Sequence, residues 1–133
     1  MTEQETIAVL AVLRAGLPNA FLKITDADAA AMVALWAEMF SGYNGNLVMA
    51  AAKTYIWQDT TGRFPGPGNI RQTIEDLQEA IGNYADYTPY LVGDKYPPKV
   101  LEYIKQEAHD VREERYARLT FAGMPLATRR MAP

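Results

Sequence analysis

Apolar residues recur every three or four positions through most of this chain, and proline or glycine interrupts the pattern between one block and the next. Spacing of three and four places side chains on one face of an α-helix. Five such blocks fit into the 133 residues, and most of them carry a recognisable start or stop signal. The pattern therefore predicts an all-α protein built from short helices.

Four of the blocks lie in the first part of the chain and predict a small four-helix bundle. The first begins at Thr2-x-x-Glu5, a capping-box pattern, and acidic residues mark the start of the second. The third runs from residue 45 or 46 to Gln58, and the fourth begins at Pro67 and is expected to stop at Gly82. The predicted inward positions, block by block, are Ile7, Leu10, Leu13 and Leu17; Ala29, Met32, Val33, Trp36, Met39 and Phe40; Leu47, Val48, Ala51, Tyr55 and Ile56; and Ile70, Ile74, Leu77 and Ile81.

The texture changes after this bundle domain, which we assign to residues 1–82. Residues 83–98 are rich in tyrosine and proline and are typical of a linker. Residues 99–133 then form an amphipathic helix and a tail. The apolar seam of this fifth helix is narrow and its surroundings are highly charged, with seam residues spaced 3, 4 and 3 apart: Leu101, Ile104, Ala108 and Val111. Two interpretations follow: an exposed helix that binds a partner, or a fifth bundle helix laid across the core.

Composition excludes several kinds of chemistry. There is no cysteine, and the single histidine, His109, lies in a charged helical segment without companion metal ligands. The glycine-rich connector between the third and fourth blocks lacks the lysine of a phosphate-binding loop. We therefore expect no catalytic residues, no cofactor and no metal.

Charge and hydropathy bear on partners and location. The net charge is −3, and the first part of the chain has no cluster of basic residues, so weak or no direct binding to nucleic acid is expected. The amino terminus is acidic where a signal peptide would be basic, and no apolar stretch approaches the roughly 20 residues that span a bilayer. The expected location is the cytoplasm, without membrane contact.

The order of motifs resembles the N-terminal domain of the bacteriophage replicative-helicase loader and inhibitor family. The resemblance covers residues 3–81 and departs from the family at Gly66-Pro67-Gly68, where a Ser/Thr-like cap is usual. Beyond residue 81 it rests on position alone. The segments that carry it are residues 5–10, 31–40 with Leu35-Trp36-x-x-Met39-Phe40, 47–56, and Phe64-Pro65-x-Pro67-Gly68-x-Ile70.

The resemblance implies an accessory protein of phage DNA replication. Members of the family bind a DnaB-type hexameric replicative helicase, load or inhibit it at an origin, and grip it through the C-terminal part. An origin-binding replication protein is a further implied partner. Placed on this chain, the helicase contact is predicted at Leu101, Ile104, Ala108, Val111, Phe121, Met124 and Leu126.

Two other functions stay open at this point. One is a small helical protein of replication or regulation that binds nucleic acid through C-terminal arginines: Arg112, Arg115, Arg118, Arg129 and Arg130. The other is a structural oligomer in which the fifth helix pairs with copies of itself. Its seam spans barely two heptads, which is short for a self-sufficient coiled coil.

Overall fold

The computed structural model describes residues 1–87 and 95–121, and every regular element in these two ranges is helical. This confirms the all-α class. In chain order the elements are α1 (Glu3–Gly16), a short 3₁₀ turn (Pro18–Phe21), α2 (Asp26–Met39), α3 (Gly45–Gln58), α4 (Pro67–Tyr87) and α5 (Pro98–Phe121).

Two helix starts follow the predicted capping chemistry. The Thr2 hydroxyl accepts a hydrogen bond from the Glu5 backbone N–H at 3.1 Å, and the Glu5 carboxylate accepts one from the Thr2 N–H at 2.9 Å. Thr25 and Asp28 form the same reciprocal pair at the start of α2. These bonds satisfy backbone donors that a helix start otherwise leaves unpaired.

The predicted end of the fourth helix is wrong. The helix does not stop at Gly82 but continues to Tyr87, so five residues assigned to the linker are helical. Glycine costs a helix only about 1 kcal/mol, and the buried Ala85 beyond it continues the inward face of α4. Residues 88–94, in the middle of the predicted linker, lie outside the described part of the chain. The division into a bundle domain, a linker and a separate partner-binding part stays a prediction.

Trp36 lies at the aromatic centre of the core and is 2 % exposed. Its ring centroid is 5.6 Å from that of Phe40 and 5.8 Å from that of Phe64. The buried side chains of α1, α3, α4 and α5 belong to the same hydrophobic cluster. Most predicted inward positions are buried or half-buried, but Ile7, Ala29 and Met39 are exposed.

The fifth helix belongs to the bundle. It packs along α4 and also contacts α3. Val100, Ile104 and Ala108 are buried in this contact, as is Tyr96 just before the helix. Of the two interpretations of the fifth helix, the structure therefore shows the helix that packs on the core.

Candidate partner-binding surfaces

The start of α5 is held in place by the chain itself. The Gln58 side chain at the end of α3 donates a hydrogen bond to the Lys95 carbonyl at 2.9 Å. The Pro97 carbonyl accepts from the N–H groups of Val100 and Leu101, both at 3.0 Å. Pro98 is suited to the first helical position because its missing N–H has no helical partner there. Together these contacts fix where α5 enters its groove on α4.

The predicted helicase-contact residues do not share one environment. Ile104 and Ala108 are fully buried against the chain's own core, and Leu101 and Val111 are half-buried. Phe121 is the last residue of α5, and its side chain lies outside the described part of the chain. Met124 and Leu126 also lie outside the described residues.

Sequence reasoning missed part of the buried line of α5. The fully packed positions follow a spacing of four, Tyr96, Val100, Ile104 and Ala108, rather than the predicted 3, 4 and 3. Tyr96 and Val100 were assigned to the linker and the helix start. A spacing of four also marks one face of a helix, so this line was visible in the sequence as an alternative register.

Tyr103 lies where α5 faces α3. A groove there is lined by Met49, Ala50 and Lys53 of α3 and by Tyr103 and Glu107 of α5. Burial of the phenol, together with the nearby negative charge of Glu107, raises the pKa of Tyr103 to about 12. The neutral phenol is therefore the form that this contact favours.

Beyond Ala108, no side chain in the described part of α5 is buried, and polar contacts replace apolar ones. Arg115 forms an ion pair with Asp86 of α4, and the Arg112 guanidinium lies over the Tyr84 ring, 5.7 Å from its centroid. Arg118 pairs with Glu114 within the helix.

Three of the five arginines proposed for nucleic-acid binding are thus engaged within the chain. Arg129 and Arg130 lie outside the described residues. His109 is exposed and lies near Asp110 and Glu113 of its own helix, as a surface histidine would.

Sequence reasoning also missed an exposed apolar surface on α2. Leu35 is 47 % exposed and Met39 53 % exposed, and α2 packs mainly against α1. Between these two helices lies a groove of about 270 Å³, lined in part by Ile7, Met32 and Val33. The sequence signal was the near absence of charge from all sides of α2, which predicts burial on all sides.

Two other kinds of site are absent from the described residues. No group of three or more His, Asp or Glu side chains there is arranged to hold a metal ion. Nor does any helix in the described ranges combine the length and apolar character that a membrane span requires.

These elements define a small helical domain that presents packed and unpacked helix faces. Residues 1–71 match the family model for the N-terminal domain of a phage helicase loader and inhibitor, and the chain belongs to this family. No curated protein and no solved structure matches the chain. The matched region ends in the first turns of α4, so α5 lies beyond it.

Proposed function

We propose that this protein binds a DnaB-type hexameric replicative helicase and controls its loading, or inhibits it, at a phage replication origin. The observation that carries the proposal is the family match over residues 1–71, which includes α1, α2 and α3 complete. The proposed role is one of binding and delivery, so it requires from this chain no reaction, cofactor or metal. An origin-bound replication protein would be the complex that receives the helicase.

We place the helicase contact in residues 97–131, on α5 and the residues that follow it. Amphipathic helices commonly enter a partner's groove through anchors at i, i+3, i+4 and i+7. Leu101, Ile104, Ala108 and Val111 have this register. Two of the four are fully buried on the core, so a helicase that uses them must compete with α4 and α3 for α5.

Opening of α5 would lower the apparent affinity of the helicase. A partner that binds a minor state binds more weakly by the fraction of molecules in that state. The distal half of α5 is the place where opening costs least, because ion pairs and an arginine–tyrosine contact hold it rather than buried side chains. The proposed sequence of events is release of this half, followed by capture of the seam.

The test is a binding titration of the full chain against purified replicative helicases of the phage and of its host. Leu119 is 57 % exposed on α5, and Leu119→Asp should weaken binding at least about tenfold without lowering the melting temperature. Leu22 is 78 % exposed far along the chain from α5, and Leu22→Asp serves as the matched control that should bind like wild type.

Asp86→Ala tests the opening step from outside the proposed contact. Removal of the Arg115 partner should favour the open form and tighten helicase binding by up to about fivefold. If the full chain binds neither helicase, the proposed function fails. If it binds but Leu119→Asp has no effect, the function stands and the contact is misplaced.

A further inference from the structure

α2 has the composition of a buried helix but the position of a surface helix. Of its 14 residues, three are charged and one, Trp36, is buried. A helix that is apolar on every side normally lies inside a protein or against a partner. The apolar character of its outer side therefore has no explanation within the described part of the chain.

The outer side of α2 is shaped for a second helix. Leu35 and Met39, four residues apart, lie one turn from each other and are about half exposed. The other exposed apolar residues are small, so a partner backbone can approach closely: Ala27, Ala30, Ala31 and Ala34. Its 14 residues give a surface about 21 Å long, the length of four turns of a partner helix.

The charges at the two ends of this surface are all negative. Asp26 and Asp28 lie at the start of α2 and Glu38 near its end, and the helix carries no lysine or arginine. The two aspartates have a role within the helix, because acids near its start offset the helix dipole and Asp28 completes the capping box.

Glu38 has no such role. It lies in the last turn, where the dipole disfavours an acid. Among the ion pairs of residues 1–87 and 95–121, none includes Glu38.

We propose that the outer face of α2, formed by Leu35, Met39 and the exposed alanines, docks a basic amphipathic helix of a partner protein. The partner's apolar stripe would cover Leu35 and Met39, and its lysines or arginines would lie against the acids at both ends. This surface is separate from the α5 contact proposed for the helicase and does not depend on it.

Charge argues for a basic partner and against a second copy of this chain. Two α2 helices related by a two-fold axis would run antiparallel and bring Asp28 of one copy towards Glu38 of the other. Like charges placed against each other in an interface cost affinity, and α2 has no base to offset them. A small face of this kind belongs to the weak, transient class of interfaces.

The test uses the full chain and a fluorescent peptide of roughly 18 residues of leucine, alanine and lysine, designed with one apolar stripe long enough to cover the four turns of α2. A peptide with glutamate in place of lysine is the control. The lysine peptide should bind with a Kd of roughly 1–100 µM, and the glutamate peptide at least about tenfold more weakly.

Leu35→Asp separates docking from simple charge attraction. It makes the chain more acidic, so attraction alone would tighten the lysine peptide, whereas docking on α2 predicts a loss of at least about tenfold. Leu119→Asp adds the same charge on α5 and should not weaken the peptide. Glu38→Lys should weaken the lysine peptide and strengthen the glutamate peptide, each by about fivefold.

Other occupants of α2 give different results. Sedimentation velocity that shows a dimer, lost in Leu35→Asp, would assign the face to a second copy. Peptide binding that improves in the double variant Arg129→Glu/Arg130→Glu would assign it to the chain's own C-terminal residues. Either result, or a lysine peptide that binds Leu35→Asp as well as wild type, overturns the proposal.

Discussion

α2 and α5 reverse the usual relation between composition and burial. α2 is rich in alanine and large apolar residues, yet Trp36 is its one buried residue. α5 is highly charged, yet it places Val100, Ile104 and Ala108 in the core. The position of a helix in this bundle therefore follows from the spacing of a few residues and from which neighbour is free to receive them.

The neighbours explain the difference. α4 offers a long apolar face that includes Ile74, Leu77, Ile81 and Ala85, all buried. α3 covers part of that face, and α5 packs against α4 as well. α2 packs mainly on α1, and its large aromatic Trp36 occupies the space at the centre of the bundle. A single bulky anchor is enough to hold α2 and leaves its other sides outside.

The largest expected effect tests this single-anchor description of α2. Trp36→Ala should lower the free energy of unfolding by about 3–5 kcal/mol, because it empties a site in contact with Phe40 and Phe64. This approaches the whole stability of many small domains. The measurement is chemical denaturation followed by circular dichroism.

Leu35→Ala is the matched control on the adjacent, outward position. With Leu35 about half exposed, the change should stay within about 0.5 kcal/mol. Equal losses in the two variants would show that the outer side of α2 is packed in solution, which would contradict the contrast between α2 and α5.

Much of this fold could be predicted from the sequence because its signals are local. Both capping boxes, the start of α4 at Pro67 and the burial of Trp36 depend on residues within a few positions of one another. The position of α5 could not be predicted in the same way. Its charges are compatible with water or with a bundle edge, and the choice depends on the face that α4 leaves open.

The candidate site was the least predictable part. The seam of α5 was recognised through Ile104 and Ala108, but the sequence does not tell whether that seam faces the chain or a partner. The outer face of α2 was misassigned at Met39, since a helix with apolar residues on every side gives no direction to its periodicity.

An intermediate effect is expected from pH and concerns the seat of α5 on α3. The pKa of Tyr103 is raised from 10.0 to about 12 in the folded chain. Folding thus favours the neutral phenol, and its contribution to stability is complete below pH 10.0 and is lost as the pH rises towards about 12. Thermal melts of wild type should therefore fall more steeply than those of Tyr103→Phe across this range.

Tyr103→Phe keeps the ring and removes the ionisable group, so it isolates this one titration from those of the other tyrosines. Tyr55, whose pKa is also raised by burial, is present in both proteins. Parallel pH profiles of the two proteins would mean that Tyr103 is exposed and that α5 does not rest on α3 in solution.

The smallest expected effect concerns the ion pair between Asp86 of α4 and Arg115 of α5. Both side chains are about half exposed, 53 % and 50 %, so water screens the pair. Its coupling energy should therefore be about 0.2–1 kcal/mol. A double-mutant cycle of Asp86→Ala and Arg115→Ala measures it, and added salt should reduce it.

The pair of Glu114 and Arg118 is the matched control, because it joins two residues of α5 alone. Hydrogen exchange distinguishes the two pairs. Loss of the Asp86 partner should speed exchange on α5 by up to about fivefold through opening from α4, whereas Glu114→Ala should act within its own turn. A cycle with no coupling between Asp86 and Arg115 would show that buried side chains alone hold α5 on the bundle, and that its distal half needs no release step before it can bind a partner.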